Sequence, residues 1–262
     1  AAKIEGLYVP ALYEVEYNED GTICCMKPKY DDIPVKIKKQ VQVDLTNSTY
    51  PEAPVVPFIK ATQDRMVLEI QRGCIRGCRF CQAGFLYRPF REKSPETIVR
   101  QCRSLCDTTG YQELSLSSLS TSDHSQLEET LNELLPYLDE NRINITLPSL
   151  RIDNFSESLV EKTTRVRKSG LTFAPEAGTQ RLRDVINKNV SEEELMRTAG
   201  IAFSGGFATV KLYFMMGLPT ETMEDVEGIV HLAEKLIDLY YNTPERSKGK
   251  TIQISISCAT FV

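Results

Sequence analysis

Three of the chain's eight cysteines fall within eight residues, in the run Gln71-Arg72-Gly73-Cys74-Ile75-Arg76-Gly77-Cys78-Arg79-Phe80-Cys81. The spacing is C-x3-C-x2-C, and Gly73 and Gly77 give the loop the freedom to curl so that the three sulfurs converge. Three thiolates are one short of the four that saturate a structural zinc or an ordinary iron–sulfur cluster. A [4Fe–4S] cube held by three cysteines keeps one iron open to a ligand, and an open iron does chemistry on what it binds. The competing readings are a structural zinc, an electron-transfer cluster with a distant fourth cysteine, and ordinary core cysteines. Zinc lacks a fourth ligand nearby, since the two histidines, His124 and His231, lie in helical contexts far along the chain. Core packing fits poorly with Arg72, Arg76 and Arg79 interleaved among the thiols.

The other five cysteines read as structural. Cys102 and Cys106 stand four apart on one predicted helix face and are expected to pack inward. Cys24 and Cys25 are adjacent in a predicted strand and point to opposite faces. Cys258 sits in a predicted strand and is expected to pack. A disulfide scaffold would be short and evenly studded with cysteine, which a chain of 262 residues with one cluster is not. A reducing, cytoplasmic setting is the expectation.

The elements that must position the loop follow a simple alternation. Residues 1–61 read as a β-rich segment: Leu12 to Tyr17, a turn at Asn18-Glu19-Asp20-Gly21, a return strand from Thr22 to Met26, and further alternation over Val35–Lys38 and Val41–Asp44. Pro51, Pro54 and Pro57 then mark an extended linker. From residue 62 to 262 strands alternate with helices. Strands are predicted at Met66–Ile70, Glu113–Ser118, Ile143–Leu147, Leu171–Ala174, Ala208–Phe214 and Ile252–Cys258. Ser94-Pro95-Glu96 opens a helix that Gly110 closes, and Thr222-x-x-Asp225 is a capping box for a long one. Further helices are predicted over 125–141, 156–168, 179–187 and 191–203. Such βα units make a parallel sheet, and right-handed crossovers curl six strands into a partial (β/α)6 TIM-like barrel. A doubly wound open sheet is the competing architecture. Either way, the chemistry belongs at the strand carboxyl ends, and the cysteine run starts where the first strand ends.

Composition sets outer limits. Charged residues are 26% and the hydrophobic set 41%, so the chain is globular. No apolar run nears the ~18 residues that a membrane helix needs. The start, AAKIEGLYVP, is not a signal peptide and lacks an initiator Met, which suggests a piece of something longer. A net charge of −5 argues against broad nucleic-acid binding, though a local basic patch stays open.

The segment Cys74-x3-Cys78-x-Phe80-Cys81 resembles the signature loop of the radical S-adenosylmethionine (SAM) enzymes, with Phe80 at the usual aromatic position, and the resemblance runs over about residues 65–262. It implies a partial barrel and a [4Fe–4S] cluster on Cys74, Cys78 and Cys81, with SAM on the open iron. One electron then cleaves SAM to methionine and a 5′-deoxyadenosyl radical. An external one-electron donor of flavodoxin or ferredoxin type is implied as partner. The SAM contacts implied are Phe80, Gln82, Ser117, Ser118, Arg151, Glu176, Lys211, Gly217 and Pro219. The second strand departs from the family pattern, because Leu116-Ser117-Ser118-Leu119 carries no carboxylate, and serine hydroxyls or strand-end carbonyls take its place. Arg151 suits the SAM carboxylate or a surface salt bridge. Glu176, in Ala174-Pro175-Glu176-Ala177-Gly178, suits the SAM ribose or amino group, or else caps the next helix. Gly217-Leu218-Pro219 is similar to the family's fifth-strand motif near the adenine. Lys211 and Tyr213 share one strand face, and a buried Lys211 would need an anionic partner, a substrate group or Glu176.

Gly6-Leu7-Tyr8-Val9-Pro10 and Asp64-Arg65 are similar to the linker between a cobalamin-binding domain and a radical SAM barrel, and Leu147 to Arg151 and Asn187-Lys188-Asn189 resemble the same branch. Cobalamin would then be held by a further domain. The alternatives to a radical-generating enzyme are cobalamin-dependent methyl transfer, methylthiolation of RNA or protein, and a non-catalytic iron–sulfur module. The substrate is not legible.

Overall fold

The structure is a computed structural model that describes residues 4–148, 151–152, 171–247 and 249–262. The chain forms two compact units, residues 1–43 and 44–262.

In the first unit, β1 (Tyr13–Tyr17) pairs antiparallel with β2 (Ile23–Pro28). The Asn18 amide donates to the Thr22 carbonyl at 2.8 Å across the turn, and Gly21 takes φ 80°. The alternation predicted over residues 35–44 forms no strand. No second edge engages it, and alternation without a partner strand does not make a ladder.

The second unit begins earlier than the expected linker boundary near residue 62, because residues 44–52 fasten onto its first long helix, α2 (Pro95–Thr109). Leu45 is 1% exposed, Thr46 Oγ1 accepts from the Ser94 amide at 3.0 Å, and the Glu52 carbonyl accepts from Thr108 Oγ1 at 3.0 Å. The strand order is that of a partial barrel in two halves. One parallel sheet runs β3 (Met66–Glu69), β6 (Glu113–Ser117), β7 (Asn144–Thr146). The other runs β8 (Leu171–Glu176), β9 (Thr209–Met216), β10 (Gln253–Thr260). Among the described residues no ladder joins the two, and the barrel is not closed. A short antiparallel ladder, β4 (Gln71–Arg72) with β5 (Arg91–Glu92), was not anticipated from the sequence. The helix predicted over 156–168 lies outside the described residues.

The caps read from the sequence form. Ser94 Oγ accepts the Thr97 amide, Pro95 is the first helical residue, and Gly110 ends α2 in the left-handed region at φ 70°. After it come α3 (Leu127–Glu140), α4 (Gln180–Val185), α5 (Glu192–Ser204) and α6 (Met223–Asn242). One face of each sheet carries the core: Leu114, Leu116, Leu171, Phe173, Val210, Leu212 and Phe214 belong to one buried cluster with residues of α2, α3, α5 and α6. Cys102 and Cys106 lie in it, as expected, with their sulfurs 4.0 Å apart. Cys258 does not pack as expected; it is exposed. It lies on β10, the edge strand of its sheet, and pairs with Phe214 of β9, so only one strand flanks it.

The carboxyl end of β8 presses against α6 with no room for a side chain. A Cβ on Gly178 would sit 2.4 Å from the Asp225 carbonyl and 2.4 Å from the Ile229 amide. Asp225 fixes this junction. Its carboxylate accepts from the Thr222 amide at 2.8 Å, from Thr222 Oγ1 at 2.9 Å, and from Thr179 and Arg181. Burial alone would raise the Asp225 carboxyl, but the hydrogen bonds from Thr179, Thr222 and Arg181 outweigh it and hold the group well below the usual carboxylate range. A depressed folded-state value means stability that is fully present above the unfolded value of about 3.9 and is lost as pH falls through the folded one. Asp225→Asn is therefore expected to cost about 1–3 kcal/mol at neutral pH and to flatten the acid limb of stability. Urea melts at pH 7 and pH 3 check this: equal acid slopes for both proteins would place the titration elsewhere.

Candidate functional site

The cysteine loop leaves β3 and is closed at its base by β4 and β5, with Gln71 opposite Glu92 and Arg72 opposite Arg91. Gln71 is 1% exposed, and its Nε2 donates to the Ser120 carbonyl at 2.6 Å, which ties the base to the end of β6. Gly73 enters the loop at φ 86°, and a Cβ there would lie 2.6 Å from the Tyr87 carbonyl, so only glycine serves. The loop ends in α1 (Gln82–Leu86), a short helix that was not predicted, with Cys81 as its N-cap.

Two distant segments hold the loop, residues 120–123 and the turn at 186–187. Arg76 forms a two-pronged ion pair with Asp123, at 2.9 and 2.5 Å, and the Asp123 side chain is 1% exposed. Ser120 Oγ adds a donor to Asp123 at 2.6 Å. Burial works to raise the Asp123 carboxyl, but hydrogen bonds from Arg76 and Ser120 bring it below its ordinary value. From the other half of the barrel, Asn187 Nδ2 donates to the Gly77 carbonyl at 2.7 Å and the Arg79 amide donates to the Ile186 carbonyl at 2.9 Å. Asn187 and Asn189 both sit in the left-handed region, at φ 54° and 49°, which asparagine tolerates better than most residues.

All three thiols are partly exposed. Cys74 Sγ accepts the Arg76 amide at 3.4 Å, and Cys81 Sγ accepts the Gly84 amide at 3.3 Å. Burial pushes the Cys74 thiol up, and nearby Asp123 and Cys78 add to that, while the Arg76 amide and Arg151 pull it down. The expected convergence of the sulfurs is not reached. Among the described residues no group of three or more His, Cys, Asp or Glu side chains is arranged around one metal position. Two of the thiols are instead turned to local backbone amides. The donor chemistry nonetheless fits a three-thiolate ligand set: three accessible sulfurs on one short loop, with amide N–H donors that favour thiolate and that tune iron–sulfur clusters.

Around the loop the structure gathers part of the expected set. Phe80 packs against the small buried cluster of Ala177, Leu182, Ile186 and Leu218. Glu176 ends β8 at φ 70°, a strained conformation for a non-glycine residue, and its Oε1 lies 3.2 Å from Lys188 Nζ. Lys188 Nζ also stands 5.7 Å from the Phe80 ring centroid, so one lysine links two of the predicted residues. Arg151 donates from Nη2 to the Lys188 carbonyl at 3.3 Å and from its amide to Ser122 Oγ at 2.9 Å. The helix-cap reading of Glu176 does not hold, because Thr179 Oγ1 takes that role by accepting the Leu182 amide. The Ser117 carbonyl accepts the Ile70 amide at 3.1 Å, and Ser118 Oγ is spent within its own turn, 2.8 Å from Thr121 Oγ1 and accepting the Ser120 amide at 3.2 Å. Gln82 and Pro219 are exposed, as is Gly217, whose amide donates to Glu221 at 2.6 Å. Lys211 is exposed rather than buried, with its Nζ 4.7 Å from the Tyr213 ring centroid, and Glu176 pairs with Lys188 instead. Sequence reasoning missed Asp123 and the Lys188 side chain; the signal for Asp123 was an arginine inside a loop at a strand end, which needs a carboxylate to hold it.

The model of the radical SAM superfamily matches residues 68–233. The chain belongs to the radical SAM superfamily. An uncharacterized protein of Methanocaldococcus jannaschii is 33% identical over 201 residues, which is 77% of this chain and 44% of that protein. The threonylcarbamoyladenosine tRNA methylthiotransferase MtaB of Bacillus subtilis is 29% identical over 124 residues, 45% of this chain and 27% of that one. The chain thus spans less than half the length of these relatives. Among solved structures, the cobalamin-dependent radical SAM enzyme OxsB with aqua-cobalamin and SAM bound superposes with a TM-score of 0.59 at 12% identity, over 92% of this chain and 38% of OxsB. The radical SAM methyltransferase TsrM of Kitasatospora setae gives 0.54 at 15% identity, over 66% of this chain and 32% of TsrM. These likenesses establish the radical SAM fold. No described helix is long and apolar enough to cross a membrane.

The docking of the Asn187 turn generates a local prediction. Asn187→Asp removes the donor to Gly77 and sets a carboxylate against its carbonyl, while keeping a residue that tolerates the left-handed region. Loss of a hydrogen bond worth about 1 kcal/mol is expected to speed amide exchange across residues 74–81 by roughly fivefold. Exchange measured by mass spectrometry at wild-type rates would show that this contact does not hold the loop.

Proposed function

We propose that this chain is the catalytic core of a radical SAM enzyme, with Cys74, Cys78 and Cys81 as the ligands of a [4Fe–4S] cluster. A cluster bound there supplies the single electron that splits SAM into methionine and a 5′-deoxyadenosyl radical. The observation that carries the reading is the family loop itself, at the strand carboxyl ends, with Arg151 and Glu176 both linked to Lys188 beside it. In this reading Arg151 orients the SAM carboxylate, and Glu176 accepts from its ammonium or ribose hydroxyls in exchange for part of its contact with Lys188. Phe80 and Leu218 form the apolar wall on that side. Gln82, Ser117, Ser118, Gly217 and Pro219 are the further SAM contacts that the family resemblance implies. The electron donor is of flavodoxin or ferredoxin type, and the setting is cytoplasmic. Methylthiolation of RNA or protein is kept as a second reading because several similar proteins are methylthiotransferases. Use of cobalamin, through a further domain, is a third, prompted by the fold shared with TsrM and OxsB.

The test is anaerobic reconstitution of the full-length protein with iron and sulfide, followed by dithionite and SAM. Formation of 5′-deoxyadenosine is the expected product; a bound cluster whose electron paramagnetic resonance spectrum ignores SAM, with no cleavage, would leave only an iron–sulfur module. Iron content should vanish with Cys78→Ala and persist with Cys102→Ala, Cys106→Ala or Cys258→Ala. The reverse pattern would remove the three-cysteine assignment.

Glu176→Gln separates binding from stability. A hydrogen bond to a charged group contributes about 1.5–3 kcal/mol, so SAM affinity is expected to fall roughly ten- to a hundredfold. Calorimetric SAM titration of the reconstituted variant, set beside its melting temperature, checks this. Unchanged affinity would move the contact to Arg151 or the end of β6.

A further inference from the structure

The strands of this barrel have an unusual inner face. Leu114, Leu116, Phe173, Val210, Leu212 and Phe214 all belong to the helix-covered core. The residues that alternate with them point to the opposite, concave side. These are Val67, Glu69, Ser115 and Thr146 in one half, with Ser115 in register with both Val67 and Thr146, and Thr172, Lys211, Ser255 and Tyr213 in the other. Thr172 stands opposite Lys211, Lys211 opposite Ser255, and Tyr213 opposite Ser257, so hydroxyls flank the lysine on both sides and above. A barrel interior of this kind is ordinarily filled with layers of bulky branched side chains. Here β8–β10 present hydroxyls around one ammonium group, a wall suited to a polar occupant.

Among the described residues the charge of Lys211 is not compensated. Glu176 is engaged by Lys188, Glu113 by Arg65 and Glu69 by Arg72, at 3.2, 2.6 and 2.6 Å. No carboxylate of the described residues lies within ion-pair distance of Lys211, whose Nζ contact is the Tyr213 ring at 4.7 Å. Glu176 is in register with Phe214, three residues beyond Lys211. At about 3.3 Å per residue, Lys211 therefore lies about 10 Å deeper than the strand ends where SAM would sit.

We propose that the concave face of β8–β10 is a substrate chamber for a polar molecule bearing an anionic group, carboxylate or phosphate, that Lys211 binds. The hydroxyls of Thr172, Ser255 and Tyr213 supply hydrogen bonds around it, and the reacting carbon is held at the opposite end, toward the strand termini. This rests on the radical SAM reading and adds the substrate class and its orientation.

The experiment uses the full-length protein and two probes, inorganic phosphate and acetate, each titrated at constant ionic strength with chloride as the balancing anion. Binding is read as a saturable rise in melting temperature. At least one probe is expected to bind the wild type, more than tenfold more weakly to Lys211→Met, and with near wild-type affinity to Lys211→Arg. Lys235→Met, which alters a surface lysine on α6 paired with Glu192, is expected to bind as the wild type does. Phosphate binding alone marks a phosphorylated substrate, and acetate binding alone a carboxylic acid. No saturable binding to the wild type, equal binding by Lys211→Met, or displacement of the anion by SAM would overturn the proposal. SAM cleavage by the wild type is measured beside it. A protein that cleaves SAM and binds neither anion loses only the chamber; one that binds an anion through Lys211 and never cleaves SAM loses only the radical reading.

Discussion

A short loop with three thiols cannot fix its own geometry, and the rest of this structure follows from how it is fixed. The loop has few apolar contacts of its own and two glycines. It is held by an ion pair between its Arg76 and Asp123 and by hydrogen bonds exchanged with the turn at residues 186–187. Arg76 reaches Asp123 at the end of the second barrel strand, and Asn187 reaches Gly77 from a turn in the other half-sheet. Asp123 is buried, so its charge is affordable there only because Arg76 and Ser120 satisfy it. The same contacts that steady the loop bring Lys188, and with it Glu176 and Arg151, to its side.

What was legible in the sequence was local. Ser94-Pro95 and Gly110 bound α2 as read, and Thr222 with Asp225 opens α6, because caps depend on residues a few positions apart. The buried Cys102 and Cys106 followed from helical spacing, and the βα alternation gave the partial barrel. The failures depend on partners far away in the chain. Alternation over residues 35–44 had no strand to pair with. Cys258 is exposed because its strand lies at an edge, which nothing in its own segment reveals. The Lys188–Glu176 pair joins residues whose meeting depends on how α4 turns back over β8.

The site also shows where local rules give way. Glu176 is the last residue of its strand, and the ladder to β9 slips between Phe173 and Glu176. A non-glycine residue at φ 70° costs of order 1–3 kcal/mol, and it stands two residues before Gly178, where the chain abuts α6. The carboxylate is thereby turned toward Lys188 and Phe80, where a straight strand would have carried it onward.

The bond between Asn187 and Gly77 spans 110 positions of sequence, and the one between Arg76 and Asp123 spans 47. Contacts of such long reach form late, since the chain between them must be ordered before they gain anything. The first half-sheet is able to fold and present its cysteines while the second is still being made, but in that interval the loop has only Asp123 to steady it. Its final shape waits for the turn after α4. On the proposed assignment, assembly of a metal centre on these thiols is therefore a task for the folded barrel, and iron that reached a half-folded chain would meet the same three sulfurs without the frame that sets their positions.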